Sequence, residues 1–186
     1  QTVTITNIDK ISPVLTSKTT FLSSWYNVDQ TSTFTYIDNE SSIASGTPVT
    51  CDISTEGTGQ TCSVTPNVCD VAGNCNITTV TSNAIDLDKT NPGNPGIPAP
   101  DVLSPTASTT INWNWSASDG SIAGIKWYQW NLWDSLASVL SGTTTGLTVT
   151  TSSLLDETYT LKVVAKDNAG NLSSEVSSSA VTVDTV

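Results

Sequence analysis

Apolar and polar residues alternate with a period of two along most of the chain. The pattern is clear in "TSTFTYID" (31–38), "TINWNWSA" (110–117), "LTVTT" (147–151) and "YTLKVVAKD" (159–167). A period of two puts successive side chains on opposite faces of a strand, so these stretches predict half-buried β-strands. In "TINWNWSA", Ile111, Trp113 and Trp115 fall on one face and Thr110, Asn112 and Asn114 on the other. Clusters of Gly, Asn, Asp and Ser separate the strands, and these residues form turns. Helical periodicity is hard to find. The pattern predicts an all-β chain of short strands with frequent turns, as in β-sandwiches.

One stretch breaks the alternation. "DKTNPGNPGIPAP" (88–100) holds Pro92, Pro95, Pro98 and Pro100 with Gly93 and Gly96. Proline cannot donate to a sheet ladder, so the stretch predicts a stiff boundary. The boundary also recurs: "NIDKISP" (7–13) matches "DLDKTNP" (86–92), and "VDTV" (183–186) begins the same way. The expected layout has residues 1–12 as the final strand and junction of a preceding repeat. A first β-sandwich follows over 13–90, then a linker over 91–97 and a second sandwich over 98–186. "QTVTITNID" would then be a strand cut from its own unit, and the chain a section of a longer tandem array.

At 186 residues, two domains of this size can each bury a core. Composition then narrows the partners. Six Lys and no Arg oppose 17 carboxylates, a net charge of −11. Such a surface repels nucleic acid and anionic membranes. No apolar run reaches the length needed to cross a bilayer, so membrane insertion is not expected. There is no basic-then-apolar leader, which fits a mature or excised chain. His is absent, and with it the commonest general base and zinc ligand. Ser and Thr supply 58 of the 186 residues, again favouring strands over helices.

Cys51, Cys62, Cys69 and Cys75 lie within 25 positions. Their spacing lacks the short Cys-x-x-Cys knuckle of zinc sites, so two disulfides formed outside the cytosol are the better reading. Cys69 and Cys75 fence "DVAGN" (70–74), and the same Asp-x-Ala-Gly-Asn pattern returns unfenced at 167–171. In a reversing loop Asp accepts backbone amides ahead of it, Gly takes positive φ, and Asn tolerates the left-handed region. Both copies therefore predict hairpin bends, the first stapled by Cys69–Cys75. Cys51 and Cys62 similarly bracket a turn-rich stretch, while a Cys62–Cys69 pairing stays open.

Residues 13–92 carry, in order, Trp25-x-Asn27-x-Asp29, then "TSTFT", Ser42-Ile43-Ala44, Glu56-Gly57-x-Gly59-Gln60, Asp-Val-Ala-Gly-Asn and "DKTNP". This ordered set resembles the Ig-like repeats of large bacterial cell-surface and secreted proteins. Ser24 stands where those repeats carry glycine, and the glycine before Ile43 is missing. Residues 98–186 are similar to fibronectin type III and related Ig-like sandwiches. "INWNWSAS" resembles the second strand, "GIKWYQWNLW" the third, and "SLLDETYTLKVV" the corner before the penultimate strand. The resemblance makes Leu154 or Leu155 the buried leucine and Tyr159 the corner tyrosine, its hydroxyl bonded to nearby backbone. It implies two tandem sandwiches joined by a Pro/Gly-rich linker at a cell surface, and no reaction.

Several residues are candidates for binding. Asp9, Asp86, Asp88 and Asp184 mark the junctions, with Asp70 and Asp167 on the repeated loops. Carboxylates gathered at joints can hold Ca2+, which takes six to eight oxygens. The turn reading competes with this, because no dense Asp-x-Asp-x-Asp run occurs. Trp127, Gln129, Asn131 and Trp133 share one face of a strand, and exposed indoles beside amides can grip a sugar ring. Packing against a loop is the plainer role for those tryptophans. Asn39, Asn76, Asn114 and Asn171 begin Asn-x-Ser/Thr sequons. No Ser-His, Cys-His or phosphate-loop arrangement exists, so catalysis is not expected. The resulting expectation is an extracellular spacer, partnered by neighbouring repeats or identical subunits, with an adhesin or glycan-binding module as the alternative.

Overall fold

The computed structural model describes residues 8–186, and the expected strand at 1–8 falls almost wholly outside them. The chain divides into two compact units between Leu87 and Asp88. Among the described residues every regular element is a β-strand.

In the first unit, Gln30–Ile37 sits between Val14–Lys18 and Val49–Ile53 in an antiparallel sheet. Its alternation does what the sequence predicts: Ser32, Phe34 and Tyr36 are buried while the residues between them face outward or lie half-covered. A second sheet orders Ile43–Ser45, Val68–Asp70 and Cys75–Asn76, and a third places Ile85–Leu87 between Trp25–Tyr26 and Gly57–Gln60. Short strands give this unit two small cores. Phe34, Tyr36, Val49 and Val68 form one, with Cys51 packed against it. Ile53, Ile85 and Leu87 form the other, with Cys62 packed against it. The sulfurs of Cys51 and Cys62 are bonded, so one disulfide ties the two half-cores together.

The second unit has one continuous core. Ile111–Asn114 lies between Ala99–Pro100 and Thr148–Thr151 in one sheet. The larger sheet orders Ser138–Thr144, Ile125–Trp133, Thr158–Asp167 and Val176–Ser177, with Val181–Thr182 also pairing to Thr158–Asp167. Their inward side chains pack together, including Trp113, Leu132, Leu161 and Val163, all fully buried. The Trp113 indole N–H donates to Thr151 Oγ1 at 3.0 Å, which satisfies its polar atom inside the core. Leu154 is buried and Leu155 exposed, which decides between the two leucines. Tyr159 Oη donates to the Leu155 carbonyl and accepts its amide, each at 3.1 Å.

The proline-rich stretch expected as a linker over 91–97 belongs to the second unit. Pro92, Pro95 and Pro98 are buried at three-residue spacing, the period of a polyproline II strand with one face down. Gly93 N–H donates to Asp119 O at 3.2 Å, and Gly96 N–H to Ser116 O at 3.1 Å. A methyl group at Gly96 would run into Ser116, so glycine permits the close approach. Proline stiffness was legible in the sequence, but the surface it lies on was not.

Candidate functional site

The repeated Asp-x-Ala-Gly-Asn segments fold into the same bend. Asp70 N–H bonds Asn74 O at 3.0 Å, and Asp167 N–H bonds Asn171 O at 3.1 Å. Gly73 and Gly170 take φ of 94° and 102°, the left-handed side that glycine allows without steric cost. Asp70 Oδ1 accepts Asn74 N–H at 2.8 Å, and Asp167 Oδ1 accepts Asn171 N–H at the same distance. The staple residues Cys69 and Cys75 are register partners and are disulfide-bonded. Lys166 and Leu172 hold the matching places without a covalent link.

The sequence reading assigned the wrong job to the asparagines. Neither takes a positive φ. Each instead uses its side chain as a clasp. Asn74 Nδ2 donates to Asp70 Oδ2 at 2.9 Å and to the Asp9 carbonyl at 3.3 Å. Asn171 Nδ2 donates to Asp167 Oδ2 at 3.0 Å and to the Asp88 carbonyl at 2.8 Å. Two of the junction aspartates, Asp9 and Asp88, are thus each held by their own unit's loop. They also share a turn: Asp9 Oδ1 accepts the amide of Ile11, and Asp88 Oδ1 that of Thr90. Asp184 Oδ1 accepts the amide of Val186 in the same manner, at 3.3 Å, and is exposed. A motif match of "DK" to "DK" signals the junctions; nothing local signals which loop captures them.

Within the first unit, two of the carboxylates considered for calcium come together. Asp9 and Asp70 meet, joined by Asp38, which the sequence reading missed; one oxygen from each lies within 4.8 Å of the others. Asp86 instead accepts Gly59 N–H at 2.8 Å. Asp88 Oδ2 accepts Ala123 N–H at 2.8 Å, and Asp88 is fully buried. Asp38 stands five residues before Ile43, which pairs with Asp70; five before Ile125, which pairs with Asp167, is Gly120. The second unit therefore has no counterpart of Asp38. The first unit's trio offers oxygens of the right kind for a hard cation but only three acidic groups towards six to eight ligands. Its oxygens also accept hydrogen bonds: Ser41 Oγ donates to Asp9 Oδ2 at 2.6 Å, and Ser41 N–H to Asp38 Oδ1 at 2.6 Å. Burial raises the Asp70 pKa, but bonds from the Asn74 side chain, the Asn74 and Gly73 backbone and Ser41 outweigh it and hold the carboxyl below its usual range.

The tryptophan stripe falls on one face as expected. Tyr128 and Leu132 are buried on the inner side of Ile125–Trp133, while Trp127, Asn131 and Trp133 are half-buried and Gln129 exposed on the outer side. Lys166 Nζ sits 5.2 Å from the Trp127 ring centre and Lys162 Nζ 4.8 Å from that of Trp133. Lys162 also pairs with Glu175 at 3.2 Å.

Two of the sequon asparagines are engaged within the fold. Asn171 is buried in its clasp. Asn76 Nδ2 donates to Pro13 O at 2.7 Å while its Oδ1 accepts Thr78 N–H at 2.9 Å. Asn114 is exposed but donates to Ala99 O at 3.1 Å, and Asn39 is exposed.

No family model matches the chain. Chitinase A1 of Niallia circulans is 35% identical over 153 residues, which cover 79% of this chain and 20% of that protein, so the chain spans a fifth of its relative's length. Among solved structures, titin domains A168-A170 superpose with a TM-score of 0.57 at 15% identity, covering 92% of this chain and 67% of that one. The FN1-FN3 domains of chicken CNTN1 give a TM-score of 0.47 at 13% identity over 93% and 67% of the two chains. Sheet order and the titin superposition agree on the fold, two consecutive β-sandwich modules with Ig-like and fibronectin type III-like architecture.

Proposed function

We propose that the two modules are structural spacers in an extracellular, multidomain bacterial protein, holding other parts of it apart at the cell surface and performing no catalysis. One observation carries this reading: each module clamps its own junction aspartate, Asp9 by Asn74 and Asp88 by Asn171, so the chain is fixed at both of these positions. Two disulfides fit an oxidising compartment. The chitinase relative from Niallia circulans supports a bacterial context. Neighbouring repeats or identical subunits are the partners such modules would have.

Single-molecule stretching tests the idea. Two separate force peaks are expected. Reduction should abolish the first module's peak and free the loops 51–62 and 69–75, which its disulfides hide, to extend without resistance. Extension at negligible force in both modules would remove the spacer reading. A second reading, glycan binding, is favoured by the gathering of Trp127, Gln129, Asn131 and Trp133 on one outer sheet face.

A further inference from the structure

We propose that this outer face binds an anionic polysaccharide, a glycan chain carrying carboxylate groups, laid along the strand Ile125–Trp133. The inference rests on the glycan reading and specifies its ligand. Trp127 and Trp133 are six positions apart on one strand, about 20 Å at the usual rise, long enough to engage an extended oligosaccharide at two points. Neither indole is needed inside: the core is built from the opposite face, by Tyr128, Leu132 and their partners, with Trp130 packed against it. Between the two rings lie the amides of Gln129 and Asn131. The exposed hydroxyl residues Thr143 and Ser141 stand opposite them in register. Ring faces for stacking, flanked by amides and hydroxyls for hydrogen bonds, are what a sugar chain requires.

The charge of the face selects the kind of sugar. The chain carries a net charge of −11 with only six lysines, yet two of them lie over these two indoles. Glu175 is the carboxylate that pairs with this group, through Lys162. A basic patch on an otherwise acidic protein attracts carboxylated ligands while the rest of the surface repels them. The ammonium groups now rest on the ring faces. A lysine resting on an indole at a partly solvated face is held weakly, so a sugar can displace it from the ring and offer it a carboxylate instead.

The test is retention of the full chain on immobilised polygalacturonate, chitin and a neutral β-glucan, at low and high salt. Two double variants accompany it, Trp127→Ala with Trp133→Ala and Lys162→Gln with Lys166→Gln, with calorimetry confirming that each stays folded. Expected is salt-sensitive retention on polygalacturonate, weakened about tenfold by either double variant, each equivalent to about 1.4 kcal/mol. Because the whole chain is acidic, retention on a polyanion cannot come from its net charge. Salt-insensitive retention on chitin or the neutral glucan alone overturns the anionic assignment and leaves the glycan reading standing. No retention on any matrix overturns both. Retention on polygalacturonate that survives the tryptophan changes also overturns the proposal.

Discussion

The two Asp-x-Ala-Gly-Asn loops agree in their matched hydrogen bonds to within about half an ångström, yet they sit in units of very different construction. In the second unit the loop ends a ten-residue strand whose inward side chains feed one core. In the first it ends a three-residue strand that gives Val68 to one of two small cores, and there alone cysteines fence it. Covalent links appear where apolar burial is least able to hold the fold. Small cores supply little net stability, and disulfides are the common remedy.

The largest test of that contrast is reduction. Closing loops this short restricts the unfolded chain by about 2–3 kcal/mol per disulfide, so losing both removes about 5 kcal/mol. That is comparable to the whole stability of a small domain. Reduction should unfold the first unit and leave the second folded. Tryptophan fluorescence reports mainly the second unit, which holds five of the six tryptophans, so the signal should barely move while backbone circular dichroism falls. A concerted loss of both signals would mean the units are not independently stable.

The next test compares the clasps. Asn171 is buried, and Asn171→Ala strands the Asp167 carboxylate and the Asp88 carbonyl inside the fold. Unsatisfied buried groups of this kind cost about 1–3 kcal/mol, more where one is charged. Asp70 is buried like Asp167, but the Asn74 that covers it is half-exposed, so its removal opens Asp70 to water, which can replace the lost partner, and Asn74→Ala should cost less, about 1 kcal/mol. Chemical denaturation of both variants measures the difference. Equal losses would show that burial does not set the clasp's worth.

The hydrogen-bond partners of these asparagines show where sequence reasoning stops. Period-two alternation located Gln30–Ile37, Ile111–Asn114 and Thr158–Asp167, because burial of one sheet face leaves its mark on every second residue. Turn chemistry located both bends, because an Asp that accepts nearby amides and a Gly at positive φ are local requirements. The clasp reaches back 65 residues in one unit and 83 in the other, and no local rule predicts such a reach. Asp38 was missed for the same reason: it joins Asp9 and Asp70 only once three loops have converged. The tryptophan stripe was legible because a single strand contains it, but the lysines over its rings come from the neighbouring strand.

Acid probes the carboxylates of both units. Asp70 is held below the ordinary range by the bonds already described. Asp101 is lowered by the side chain and backbone of Asn112, and Asp134 by the amides of Ala137 and Leu136. A carboxylate with a depressed folded pKa adds stability above its unfolded value, near 3.9, and loses it as pH falls through the folded value. Stability should therefore hold steady above about pH 5 and decline from about pH 4 downward, as followed by thermal melts across that window. Asp134→Asn should flatten the second unit's decline alone, and Asp70→Asn the first unit's. A decline beginning near neutrality would point to some other group.

The smallest effect concerns the first unit's acidic trio. Asp9, Asp38 and Asp70 bring three carboxylates within 4.8 Å in the first unit, and the second unit has glycine where Asp38 would stand. Asp38 supports its loop by accepting the amides of Glu40 and Ser41, and an asparagine Oδ1 can accept the same two bonds. Asp38→Asn should therefore keep the loop and relieve the repulsion, raising stability by a few tenths of a kcal/mol, the usual scale for partly exposed charges. Added salt screens the same repulsion, so the gain should shrink as ionic strength rises towards 1 M, where the screening length is about 3 Å. Because Ser41 and Asn74 already donate to these oxygens, calcium and a chelator should leave the first unit's melting temperature where it was. A rise with calcium that Asp38→Asn abolishes would instead make the trio a cation site, and the two loops would then differ in chemistry as well as in staples.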